Sequence, residues 1–283
     1  MKTYLDCIPC FLQQALRAGR LSGLDNTSIK RLLNEVSMLI PSIPMDNTPP
    51  ETGALIYKKI NEIVGNNDPF AEVKERNINH AKQLYPELRQ KIDSSNDRLL
   101  TAIRIAVAGN VIDLGASDHF DIEADLAEIL VKDFAVFDYG KFKESLKNAE
   151  NILYIGDNAG ETVFDKLLIE ELADTGKKHI TFAVREIPII NDVTVKEANW
   201  VGMHEVSEVI SSGTTAPGTI LSLCTNDFID RFEKADMIIS KGQGNYEGLS
   251  EVDRSVFFLL KAKCPVLASN IGVEKGDIIL KVL

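Results

Sequence analysis
The spacing of apolar and polar positions changes part-way along this chain. In the first half apolar residues recur every three to four positions, the spacing of one helix face. Leu12, Ala15, Leu16 and Leu21 follow the segment CIPC in this way. Ile29, Leu32, Leu33 and Val36 form a second stripe, with Asn26, Thr27 or Ser28 as its cap. Thr48 stands before two prolines in TPPETGALIYKKINEIV, a helix start. Asp68-Pro69 opens another helix, with Phe70, Val73, Ile78, Ala81 and Leu84 on its inner face and Pro86 expected to interrupt or kink it. LLTAIRIAVAGNVID is more apolar and is expected deeper, while IEADLAEILVK and KFKESLKN read as short helices.

Near Asn151 the texture becomes short β-rich runs. NILYIG, HITFAV, EVSEVI, ADMIIS and CPVLAS read as strands, with FDKLLIEELAD and FIDRFEKA as helices between them. Strands alternating with helices predict a mostly parallel sheet covered on both faces. The expected fold class is α/β. A helical N-terminal domain, residues 1–95, precedes a Rossmann-like three-layer α/β core, residues 96–283, with the boundary falling anywhere up to 150.

Composition narrows the function classes. The chain has 283 residues, 45% apolar and 26% charged, enough to bury a sizeable core. Its net charge of -11 argues against a nucleic-acid polymer or an anionic membrane as main partner, though not against a small anionic ligand. No apolar run reaches the ~18 residues of a membrane span and no secretory leader precedes the first cysteine, so a cytoplasmic protein is expected. Nothing in the sequence sets the oligomeric state.

In open parallel sheets ligands bind beyond the carboxyl ends of the strands. The first strand runs into Gly156, Asp157 and Asn158; the second into Arg185, Pro188, Asn191 and Asp192; the third into Ser211, Ser212, Gly213, Thr214 and Thr215. The fourth runs into Ser240, Lys241, Gly242, Gln243, Gly244 and Asn245, and the expected fifth into Ser269 and Asn270. Asp157, Asn158 and Asp192 offer three hard oxygen donors without sulfur or imidazole, a set that suits Mg²⁺ or Mn²⁺ better than structural zinc. So few protein ligands leave positions open for water and substrate. Ser212, Gly213 and Thr214 can present N–H groups and hydroxyls to an anion, and Lys241 adds a compact positive charge. Together these describe metal-assisted phosphoryl transfer to water, in which the metal polarises the nucleophile. Attack by water is preferred to an aspartyl-phosphate, because a carboxylate engaged by a metal is a poorer nucleophile. Asp157, Asp192 and Lys241 are the catalytic candidates.

Each residue also has a plainer reading. Asp157 and Asn158 have the chemistry of helix N-caps, and Asp192 that of a turn residue after Pro188. Glu161 either supports a ligand or favours the helix dipole. Arg185 either binds phosphate or pairs with a structural acid. Asn245 and Glu247 close the rim or serve the loop, and Asn110 and Asp113 read as caps and buried hydrogen bonds. The four cysteines are too few for a disulfide scaffold. Cys7 and Cys10 have the spacing of a metal clip or redox pair, and Cys264 could join them; a structural or redox-sensitive role is favoured over catalysis. The histidines form no H-x-x-x-H pair, and Trp200 is expected in the core.

GDNAGE (156–161), REIPIINDVT (185–194), the Gly213-Thr214 turn and SKGQGNYE (240–247) resemble, in order, the motifs of the damage-control phosphatase family, first catalogued as domain of unknown function 89. The resemblance extends to GNVIDLG (109–115) and to CIPC, which is similar to the subfamily marked by an N-terminal CxxC. It implies a divalent metal, Mn, Mg, Co or Ni, on Asp157, Asn158 and Asp192, with Lys241 beside the substrate phosphate. Arg185, Ser212, Gly213, Thr214 and Asn245 complete the expected substrate contacts. It further implies hydrolysis of small phosphorylated metabolites in a repair role, on sugar phosphates, phosphopantetheine derivatives or damaged purine nucleotides. Two rivals stay open. One is a nucleotide-binding enzyme such as a methyltransferase or oxidoreductase, although GQGNYEG lacks the G-x-G-x-x-G spacing and follows a late strand. The other is a non-enzymatic metabolite-binding or scaffold protein.

Overall fold
Alternation with period two sends successive strand side chains to opposite faces of a sheet. The computed structural model describes residues 1–65, 68–109 and 130–283. Asn110, Asp113 and most of IEADLAEILVK lie outside the described residues. Within them, β1 (Phe134–Phe137), β2 (Asn151–Ile155), β3 (His179–Val184), β4 (Glu208–Ser211), β5 (Met237–Lys241), β6 (Phe257–Lys261) and β7 (Ile278–Val282) form one sheet. Its order is β1-β7-β6-β5-β2-β3-β4. Among these strands β6 and β7 pair antiparallel, and the other neighbours are parallel.

The alternation separates two buried layers. Ile152, Tyr154, Phe182, Ile239 and Leu259 face one core with α4 (Ala71–Asp93), α5 (Arg98–Gly109), α6 (Tyr139–Asn148), α7 (Thr162–Asp174) and α8 (Val195–Val201). Leu153, Ile155, Ala183, Ile238 and Phe258 face the other with α9 (Asn226–Lys234), α10 (Gln243–Leu249) and α11 (Pro265–Ile271). This is a three-layer α/β fold. A third core is helical: α1 (Cys7–Leu21), α2 (Asn26–Leu39) and α3 (Pro49–Val64) enclose Phe11, Leu32, Val36, Ile56 and Ile60. Thr48 starts α3 with a capping box, its backbone N–H donating to Glu51 Oε2 at 2.7 Å. Helix α4 shares the core of the sheet layer rather than that of α1–α3.

Three local expectations differ from the structure. CPVLAS is a helix, because Pro265 at its first turn is pre-organised for helix and Cys264 Sγ accepts the Leu267 N–H. The strand in its place is FFLLK, which begins seven residues earlier, and the site calls on Ser269 and Asn270 as strand-end residues fall with it. Helix α4 continues through Pro86 to Asp93. Trp200 is 41% exposed and lies under the Lys82 ammonium, 5.1 Å from its ring centre.

The order of the strands places the site. From β2 the chain steps to β3 and β4 on one side, then returns to lay β5 on the other. Such a reversal leaves a crevice at the carboxyl rim between the two central strands. Asp157 follows β2 and Gly242 follows β5 at this point.

Candidate active site
The segment after β3 folds back beside β2. Val193 donates its N–H to Asp157 O at 2.8 Å, and Ala159 donates to Asn191 O at 2.8 Å. These bonds make an isolated antiparallel bridge between Asn158 and Asp192. Ile190 just before it has φ +47°, a strained conformation for a β-branched residue. Two acids and a carboxamide from two strand ends thus come together. Asp157, Asn158 and Asp192 line one wall of a cavity of about 320 Å³.

Gly242 makes the close approach possible. Its φ is +78°, and a Cβ there would lie 1.9 Å from Asp157 Oδ2. Asn158 Nδ2 donates to Glu161 Oε1 at 2.5 Å, which turns its carbonyl oxygen away from Glu161. Arg185 Nε donates to Asp192 Oδ2 at 2.7 Å, and its Nη2 lies 3.5 Å from Asp157 Oδ1. Arg185 Nη1 reaches Thr219 Oγ1 at 3.3 Å, and Thr219 donates to Asn245 Oδ1 at 2.9 Å. Asn245 Nδ2 then donates to Gly156 O and Lys241 O, at 3.0 and 2.7 Å, tying the ends of β2 and β5 together.

Lys241 is fully buried, with Nζ donating to Asp165 Oδ1 at 2.6 Å and Glu161 Oε2 at 3.0 Å. Tyr154 Oη also donates to Asp165 Oδ1, at 2.7 Å. Burial alone would lower the lysine's pKa, but Asp165 and Glu161 outweigh it and raise it. Burial pushes Asp157 well up, reinforced by Asp192 and Glu161 and opposed by Arg185 and Lys263. Burial also raises Asp192, against the pull of Arg185.

The sequence candidates therefore separate. Asp157, Asn158 and Asp192 reach the cavity. Arg185 and Lys241 do not line it: each is a buried base held by two acids, because an unpaired charge there would be costly. Ser212, Gly213 and Thr214 are also not in its lining. Ser212 Oγ donates to Val184 O at 2.8 Å, Thr214 Oγ1 to Gly218 O at 3.1 Å, and the Gly213 N–H to Ser211 Oγ at 3.0 Å. That turn uses its polar groups to close the chain after β4, and Asn245 likewise acts as a brace.

The rest of the lining holds residues that the strand ends do not supply. Helices α1 and α3 contribute Phe11, Arg17 and Tyr57, and Phe70 lies beside them with Arg17 over its ring at 5.7 Å. Lys263 enters two residues after β6. The run FFLLK was the available signal for it. Cys7, Cys10 and Cys264 share the cavity, so the structure does bring the third cysteine to the CxxC pair. Burial raises the Cys7 and Cys10 thiols, and burial pushes Glu247 beside them up to about 7.

The donor set fits a divalent cation. Four buried carboxylates (Asp157, Glu161, Asp165 and Asp192) face two buried bases (Arg185 and Lys241), before the half-buried Lys263 is counted. The three oxygen donors are hard and the cavity beside them is open to further ligands. Among the described residues no cluster of three His, Cys, Asp or Glu is arranged to hold a metal, so the fit rests on two carboxylates and an amide.

Residues 3–279 match the model of the damage-control phosphatase ARMT1-like domain. The chain belongs to this family. It is 36% identical over 283 residues to damage-control phosphatase PH1575 of Pyrococcus horikoshii, spanning 99% of this chain and 97% of that one. It is 31% identical to a damage-control phosphatase of Archaeoglobus fulgidus, spanning 98% of both. The crystal structure of the P. horikoshii protein, described as a DUF89 family protein, superposes with a TM-score of 0.92 at 34% identity, covering 99% of this chain and 98% of that one. A likeness of this extent carries the whole α/β architecture, the helical region included.

Proposed function
We propose that this family member is a metal-dependent phosphatase that hydrolyses small phosphorylated metabolites, in a damage-control role like that named for its relatives. The observation that carries the reading is the Asn158–Asp192 bridge. It sets three oxygen donors from two strand ends on one cavity wall at the switch point of the sheet.

Asp157, Asn158 and Asp192 would hold the divalent ion. When bound, it supplies Lewis-acid charge to a phosphoryl oxygen as negative charge builds in the transition state. The remaining residues prepare this wall. Arg185 orients both carboxylates through Nε and Nη2. Glu161 fixes the Asn158 amide, and Lys241 fixes Glu161. The cavity's 320 Å³ is at the small end for ligand pockets, in keeping with a small metabolite. Phe11, Tyr57 and Phe70 add an apolar part to the same cavity, which would suit the non-phosphate part of a substrate.

Calorimetric titration with Mn²⁺ tests the ligand set. Asp192→Asn keeps the volume and a partner for Arg185, and is expected to weaken Mn²⁺ binding by about a hundredfold. Asp192→Ala is expected to abolish it, with hydrolysis falling in parallel. Wild-type Mn²⁺ affinity in both folded variants would overturn the assignment.

A further inference from the structure
Among the described residues four side-chain amides line the cavity: Gln14, Asn158, Asn191 and Gln243. Three of them have their N–H groups engaged. Gln14 Nε2 donates to Cys10 Sγ at 3.5 Å, Asn158 Nδ2 to Glu161 Oε1 at 2.5 Å, and Gln243 Nε2 to Glu247 Oε1 at 2.8 Å. Asn191 differs. Its side chain is buried, the residue being 4% exposed, and its Nδ2 meets no hydrogen-bond acceptor among the described residues. A buried donor without an acceptor carries a desolvation cost that folding does not return. Such groups are uncommon in native structures, and one in the lining of a cavity is explained by a ligand that brings the acceptor.

We infer that the Asn191 side chain donates a hydrogen bond to the substrate's phosphoryl group, an assignment that rests on the phosphatase reading above. Its place in the chain supports this. Asn191 directly precedes Asp192, and its carbonyl accepts the Ala159 N–H at 2.8 Å, so the bridge that joins the acids also fixes the Asn191 backbone. The Asp192 N–H closes the turn onto Ile189 O at 3.0 Å, with Ile190 at φ +47° inside it. This one turn therefore presents a candidate metal-binding carboxylate and an unspent amide on adjacent residues, both in the cavity lining. The chemistry is complementary. A phosphoryl group has more than one oxygen that gains negative charge in the transition state, and each needs a donor or a cation. Arg185 and Lys241 are already held by acids, so neither of these bases supplies that donor. An amide suits a place beside carboxylates because it is neutral. It donates to an anion without repelling a cation held by the same acids.

The test uses the intact protein, with Mn²⁺ and inorganic phosphate as calorimetric probes and an aryl phosphate as substrate. The phosphate is titrated in the presence of Mn²⁺. Asn191→Leu keeps the shape of the side chain and deletes the donor. It is expected to weaken phosphate binding about 10- to 100-fold and to lower kcat/KM in proportion, with Mn²⁺ affinity within about threefold of wild type. Its Tm without ligand is expected to equal or exceed that of wild type, since a buried donor without an acceptor has been removed. Asn191→Asp replaces the donor by a charge that repels phosphate, so it should bind phosphate more weakly still and Mn²⁺ at least as tightly. A structural amide would give a different pattern: a lower Tm and a parallel loss of both ligands in Asn191→Leu would overturn the assignment. So would phosphate affinity and kcat/KM within about twofold of wild type in both variants, a result that leaves the phosphatase reading in place. Asn191-dependent phosphate binding without hydrolysis under any metal keeps the donor and removes the phosphatase reading. A wild type that neither binds phosphate nor hydrolyses the ester removes both.

Discussion

Single residues carry unequal weight in this site, and Gly242 shows it most directly. Its left-handed backbone and the 1.9 Å approach that a Cβ would make to Asp157 leave no room for a side chain. Gly242→Ala is expected to cost about 1–3 kcal/mol in urea unfolding and to lose most Mn²⁺ affinity, by displacing Asp157. Lys241→Met strands two buried acids and should cost about 3–5 kcal/mol at pH 8. That cost should shrink toward pH 5, where Asp165, already pushed up to about 6 in the wild type, takes up a proton. Glu247 gives a second pH signature. Burial raises it from 4.5 to about 7, so the folded state binds its proton more tightly than the unfolded chain does. It therefore subtracts stability as pH climbs from the lower value through the upper one, by an amount of order 3 kcal/mol once both states are ionised. Glu247→Gln is expected to raise Tm by several degrees at pH 8 and hardly at all at pH 4.5. An equal shift at both pH values would contradict burial as the cause.

The elements work together through the segment that bears Asp192. Its Ile189 is buried in the α1–α3 core with Phe11 and Ile56, so the helical region grips the loop directly. A second grip is ionic. Lys74 on α4 is buried and lies 2.6 Å from Asp68 and 2.9 Å from Glu197 on α8. Glu197 also accepts from the Thr194 N–H at 3.0 Å, at the end of the Asp192 segment. Lys74→Met is expected to destabilise by about 3 kcal/mol and to lower Mn²⁺ affinity without touching the cavity. Unchanged metal binding in that variant would show that the loop keeps its shape unaided. This level was read unevenly from sequence. β2, β3 and β5 were legible because each is a short apolar run ended by polar residues. CPVLAS was misread because a run of the same texture, headed by Pro265, packs one face of a helix instead. β1 and β7 join the sheet through pairing with distant strands, which local pattern does not encode.

At the scale of the whole molecule the topology converts strand ends into a site. The acids were legible in the sequence because the motif order placed them after neighbouring strands. The destinations of Arg185 and Lys241 were not. A basic residue beside an acid reads the same whether it faces a ligand or neutralises a buried charge, and burial decides between them only after folding. Lys263 was hidden by the misplaced strand. Among the described residues no helix is long and apolar enough to cross a membrane. The most direct measurement is hydrolysis of an aryl phosphate by metal-stripped protein, with Mg²⁺, Mn²⁺, Co²⁺ or Ni²⁺ added back, beside Asp192→Asn. The account predicts activity that returns only with metal and falls at least a hundredfold in the variant. Full activity without metal, or none with any of the four ions in folded protein, would contradict it.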